Sequence, residues 1–173
     1  DGQFTQAVGV DVDTTGYVYV VDASNRRIQR FASNGTYQLQ WGESGEEPGQ
    51  FQGPSGITSD DSGHVFVSDT LNHRVQKFTS SGEYVLQWGS QGSGDGQFLY
   101  PQGIAIDSSG YVYVADSNNI RIQKFTSDGA YVAQWGQYGS EDGQFNYTFD
   151  IAVDAARNVY VTEGYSGIVQ VFS

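Results

Sequence analysis

Apolar and polar residues alternate in short runs along the whole chain, and the runs are punctuated by turn residues at regular intervals. Residues 96–142 show the pattern best. GIAID at 103–107 leads into Ser108-Ser109-Gly110, YVYVAD at 111–116 into Ser117-Asn118-Asn119, and RIQKFT at 121–126 into Ser127-Asp128-Gly129, before YVAQWG at 131–136. Runs of this length, rich in β-branched and aromatic residues and bounded by turn signals, predict four strands. No room is left for a helix of about ten residues.

The block then repeats. Gly-Gln-Phe recurs at Gly2, Gly49, Gly96 and Gly143, a step of 47 residues each time, without insertion or deletion. Asp13, Asp60, Asp107 and Asp154 fall in register, as do Phe31, Phe78, Phe125 and Phe172, and Trp-Gly pairs at Trp41, Trp88 and Trp135. Four short antiparallel strands recurring every 40–50 residues predict an all-β propeller of four-stranded blades. The repeats run 1–48, 49–95, 96–142 and 143–173 in a single propeller domain or a fragment of a larger, six-bladed or longer one, and the last lacks its outer strand.

The stretches YVADSNNIRIQKF and VSDTLNHRVQKF, the latter with Asn72-His73-Arg74, resemble the NHL repeat. That resemblance covers essentially the whole chain and implies a propeller, commonly six-bladed in the family. It leaves function open, because NHL propellers include RNA binders, extracellular sensor domains, lyases and scaffold proteins.

Charge narrows the choice. Eight Lys and Arg against 20 Asp and Glu give a net charge of −12, which argues against nucleic acid or an anionic membrane as partner. With no cysteine, disulfides and thiolate chemistry are excluded. There is no long apolar run for a membrane span and no basic-then-apolar start for a signal peptide; the absence of methionine, even at position 1, reads as a processed chain or excised fragment. An acidic, lysine-poor, cysteine-free composition points to an extracellular or cell-surface location.

Most repeated residues read as structural. Asp22, Asp69, Asp116 and Glu163 stand five positions before Arg27, Arg74, Arg121 and Ile168; the first three predict carboxylate–guanidinium pairs across a short hairpin, repeated as a blade-to-blade ladder. Asp13, Asp60, Asp107 and Asp154 start Asp-x-x-Gly or similar turns. These resemble the start of a calcium loop, but one carboxylate with two hydroxyls falls short of the six to eight oxygens calcium takes. No cofactor is therefore expected, calcium being the one candidate. His64 and His73 read as solvent-facing substitutions, and no histidine-rich metal site is expected. Phe of each Gly-Gln-Phe is expected to insert between blades and Trp to cap the outer strand.

Positions that differ between repeats are better candidates for a site. On the innermost strand the aligned residues are Val8, Ser55, Gln102 and Phe149, followed by Gly9, Gly56, Gly103 and Asp150. Ser55, Gln102 and Asp150 are the candidate ligand-binding residues at the channel mouth; no catalytic residue and no metal ligand is identified. The last strand replaces Arg by Ile168 and Arg or Lys by Val171, so Ile168, Val169 and Val171 form an apolar edge that invites pairing with another chain. The leading expectation is a non-enzymatic structural or protein-interaction module that assembles through blade edges, partnered by protein, its own copies included. A metal-dependent lyase or lactonase-like hydrolase is the alternative, and a closed four-bladed ring with a three-stranded last blade the alternative to association.

Overall fold

The computed structural model describes residues 2–164 and 167–173. Among these residues fifteen strands form four antiparallel blades in sequence order. Blade 1 is β1 (Ala7–Val12), β2 (Val18–Asp22), β3 (Arg27–Phe31) and β4 (Tyr37–Trp41). Blade 2 is β5 (Pro54–Ser59), β6 (His64–Asp69), β7 (Arg74–Thr79) and β8 (Tyr84–Trp88). Blade 3 is β9 (Pro101–Ile106), β10 (Val112–Asp116), β11 (Arg121–Phe125) and β12 (Tyr131–Trp135). Blade 4 has three strands, β13 (Thr148–Val153), β14 (Val159–Glu163) and β15 (Val169–Phe172). The propeller architecture and the three-stranded last blade match the reading of the repeat. The first strand of blade 3 begins at Pro101 rather than 103, because a proline at a strand start removes no ladder donor.

Each blade is held at its ends by carboxylates. Asp13 Oδ1 accepts the Thr15 and Tyr17 backbone N–H groups, both at 2.9 Å, and Oδ2 accepts the Tyr19 hydroxyl at 2.9 Å. Asp107 repeats this with Ser109, Tyr111 and Tyr113. The Asp22–Arg27, Asp69–Arg74 and Asp116–Arg121 pairs, at 3.0, 2.8 and 2.8 Å, join the two middle strands of one blade. The pairing across a hairpin is the expected one, whereas the expected ladder from blade to blade is corrected, each pair lying inside its own blade. The guanidinium also clamps the incoming connection: Arg74 donates to the Glu46, Glu47 and Gln50 carbonyls, and Arg121 to those of Gly94 and Gln97. Buried Gln29, Gln76 and Gln123 bind both the glycine N–H and the glutamine carbonyl of the Gly-Gln-Phe that opens their own blade.

The apolar cores lie between blades. Alternate residues of each strand face opposite neighbours, so every blade has an incoming face, toward the preceding blade, and an outgoing face, toward the next. Phe51, Ile57, Val65, Val67 and Phe78 are incoming and pack on outgoing Tyr19, Val21, Ile28 and Trp41. Gly9, Gly56 and Gly103 allow the inner strands this approach: a Cβ on Gly9 would meet the Ser55 carbonyl oxygen, one on Gly56 would lie 2.5 Å from the Gln102 carbonyl oxygen, and one on Gly103 2.6 Å from Asp150 Cα. Phe51, Phe98 and Phe145 press on Gly42, Gly89 and Gly136 of the preceding Trp-Gly pair, as expected for a ring inserted between blades.

Candidate functional site

The inner strands β1, β5, β9 and β13 surround a central cavity of about 730 Å³. They pack in succession, β1 on β5, β5 on β9 and β9 on β13; among the described residues no comparable packing joins β13 to β1. The closed-ring alternative is thereby corrected: the array has two uncovered ends.

Ser55, Gln102 and Asp150 all line the cavity. Gln102 Nε2 donates to the Tyr147 hydroxyl, and Asp150 Oδ1 accepts the Ile151 N–H at 2.9 Å. Asp11, which the comparison of repeats passed over, is a second carboxylate on this wall; Ser59 Oγ of the next blade donates to it. Burial pushes the Asp11 carboxyl above its ordinary value, against the lowering effect of Ser59 and of two backbone bonds, with the nearby Asp13 charge adding to the rise. The column Asp11, Thr58, Ala105 and Ala152 carried the signal, since only one of four repeats places a charge there.

The histidines lie outside this cavity and have partners. His64 Nδ1 sits 3.1 Å from Asp60 Oδ2, and His73 Nδ1 accepts the Tyr100 N–H at 3.2 Å while its ring meets that of Tyr100 edge-on at 4.8 Å. Both are half-buried, which corrects the solvent-facing reading; His73 ties blade 2 to the entry of blade 3. Among the described residues no three His, Asp or Glu side chains converge on a point that could hold a metal ion.

The uncovered ends differ in chemistry. On the incoming face of blade 1, Val10 is 65% exposed, whereas Ile57, Ile104 and Ile151 at the same position are 7%, 4% and 5% exposed. Phe4, Val8 and Val12 are exposed beside it. On the outgoing face of blade 4, Val169 is 57% exposed where Ile28, Val75 and Ile122 are fully buried, and Val171 is exposed with it; Ile168, just before β15, is exposed as well. That face is more polar, carrying Asp150 in place of glycine and Thr162 in place of Val21, Ser68 and Ala115.

The family model of the NHL repeat matches residues 51–78 and 98–125. No curated protein matches the sequence. A protein of unknown function from Bacteroides thetaiotaomicron VPI-5482 superposes with a TM-score of 0.80 at 25% identity, over 96% of this chain and 47% of that one. Virginiamycin B lyase from Staphylococcus aureus gives 0.70 at 18%, over 99% and 56%, and a streptogramin B lyase 0.68 at 15%, over 96% and 54%. At such identities the lyases share the fold alone. The chain spans about half the length of the solved structures it matches. The family model thus matches in blades 2 and 3, and the same Gly-Gln-Phe and aromatic positions recur at 47-residue steps in blades 1 and 4, so the chain is a β-propeller that contains NHL repeats.

Proposed function

We propose that the chain is a non-enzymatic protein-interaction module, working outside the cell or on its surface, which assembles with its own copies through the ends of its blade array. The observation that carries this reading is the exposure of Val10 at a position that the other blades bury. An apolar sheet face of this extent, rimmed by polar loops, is the kind of surface that marks a protein contact. The location is supported by the acidic, lysine-poor composition, with a charge of −12.

Asp150 bears on the geometry. Its side chain projects where Gly9, Gly56 and Gly103 admit the backbone of the next blade, so a head-to-tail contact copying the internal interfaces would drive that backbone into a Cβ. Two blade-1 faces meeting about a two-fold axis avoid the clash. The blade-4 edge, with Ile168, Val169 and Val171, is then free for a different strand. The test is the mass of Val10→Asp beside the parent chain: dissociation of an oligomer supports the reading, and a variant with the parent's mass at every concentration contradicts it.

A further inference from the structure

A pocket of about 510 Å³ lies between blades 3 and 4, lined by Tyr113, Lys124, Trp135, Arg157, Asn158 and Phe172, among others. Two filled copies of the same place exist in the molecule. Between blades 1 and 2, the β7–β8 turn sits there: Arg30 donates to the Ser80 carbonyl at 2.7 Å, and Gly82 lies against Trp41, so closely that a Cβ would be 2.8 Å from the indole. Between blades 2 and 3, Lys77 Nζ donates to the Ser127 carbonyl at 3.1 Å, and Gly129 lies against Trp88 with a Cβ at 2.9 Å. One repeat further on, the corresponding turn falls after Ser173. Lys124 instead lies over the rings of Tyr111 and Tyr113, at 4.0 and 5.0 Å.

We propose that this pocket is a receptor for a glycine turn supplied from outside residues 1–173, whose following strand pairs with β15 and completes blade 4. The occupant's chemistry follows from the filled copies. A backbone carbonyl meets the Lys124 ammonium, a glycine two residues later lies flat on the Trp135 ring, and an extended segment then runs antiparallel to Val169–Phe172, as β8 runs along β7 and β12 along β11. The pocket also has a cation that the filled copies lack. Arg157 replaces Gly16, Gly63 and Gly110, and it does so with a φ of 70°, a backbone conformation costly for a side-chain-bearing residue. Lys124 and Arg157 outnumber Asp107, the carboxylate on the same pocket wall, whose Oδ2 already accepts the Tyr113 hydroxyl, and this favours an acidic residue between the carbonyl and the glycine, as Asp128 stands between Ser127 and Gly129.

The inference rests on reading β15 as a contact edge, and it names what that edge takes. The test is titration of the full chain with a labelled synthetic peptide of residues 126–136, followed by fluorescence anisotropy. Saturable one-to-one binding is expected. Gly129→Val within the peptide should weaken it at least about tenfold, because that Cβ meets the indole. Asp128→Lys within the peptide should weaken it more at low salt than at high salt. Lys124→Gln in the protein should cost about tenfold, the size of a lost charge-assisted hydrogen bond, and the peptide variants carry the test should that protein fold poorly. Absence of binding, or binding indifferent to both peptide changes, overturns the inference. If the peptide fails while Val10→Asp still lowers the mass of an oligomer, the inference falls and the assembly reading stands. Peptide binding to a strictly monomeric chain gives the converse.

Discussion

Asp22 and Asp69 hold the same place in successive blades, yet their carboxyls move in opposite directions. Burial pushes both up. At Asp22 the bonds from the Asn25 side chain, Thr5 N–H, Arg27 and Gln6 N–H outweigh it and hold the group below its ordinary value, whereas at Asp69 burial prevails over Asn72, Gln52 N–H and Arg74. The end position of blade 1 explains the difference, since the Arg27 side chain is 19% exposed and that of Arg74 7%. Asp69→Ala leaves a buried guanidinium without its partner and should cost about 3–5 kcal/mol. Asp22→Ala should cost clearly less, because Arg27 can turn to water; denaturant midpoints of the two variants measure this. The turn carboxylates set a pH dependence. Asp13 is held low by the Thr15 and Tyr19 hydroxyls and two backbone N–H groups, which together exceed the opposing effect of burial. Its stabilisation is therefore complete above the ordinary value of 3.8 and is lost as pH falls through the lowered one, so Asp13→Asn should flatten the acid limb of melting temperature against pH. Tyr19 gives the alkaline counterpart. Burial, then the bond to Asp13, pushes its phenol from 10 to about 12, so stability present below pH 10 is lost as pH rises toward 12, and Tyr19→Phe should remove that part of the decline. The turn role of these aspartates was legible from Asp-x-x-Gly alone. Asp11 was not, because its meaning depends on a Ser59 supplied by the next blade.

At the scale of the strand and the blade, the alternation of residues determines which side chains meet the preceding blade and which meet the next. Truncating Ile104, buried between blades 2 and 3, should cost about 2–4 kcal/mol, while Val10→Ala in the monomer should cost less than about 1 kcal/mol, because Val10 touches no preceding blade. Thermal or urea unfolding at low protein concentration separates the two. Gly103→Ala should destabilise although alanine suits a strand, since its methyl would lie 2.6 Å from Asp150 Cα and must part blades 3 and 4. Strand number, blade order and the inserted phenylalanines were readable from the 47-residue period. The arginine pairs were readable as hairpin contacts, but that they build no ladder between blades was not, for a definite reason. A contact inside a blade and a contact between blades recur with the same period, so repetition cannot distinguish them. The turn seat on each tryptophan is hidden in the same way, its partners being 41 residues apart in Trp41–Gly82 and Trp88–Gly129.

At the scale of the whole molecule, three near-identical internal interfaces leave one unused incoming face and one unused outgoing face. Whether the last blade meets the first depends on how far each interface rotates one blade against the next, a quantity the repeat does not encode in any single residue. The uncovered face of blade 1 is apolar and that of blade 4 mixed, while the chain as a whole is acidic, so association works against like-charge repulsion and should strengthen as salt screens it. Light scattering across a concentration series, at low and moderate salt, therefore tests the central claim most directly. The prediction is a mass that rises from 18.9 kDa toward a multiple of it with concentration and salt, and that stays at 18.9 kDa for Val10→Asp. A parent chain that remains at 18.9 kDa throughout, with its Val10 face bare, would contradict it.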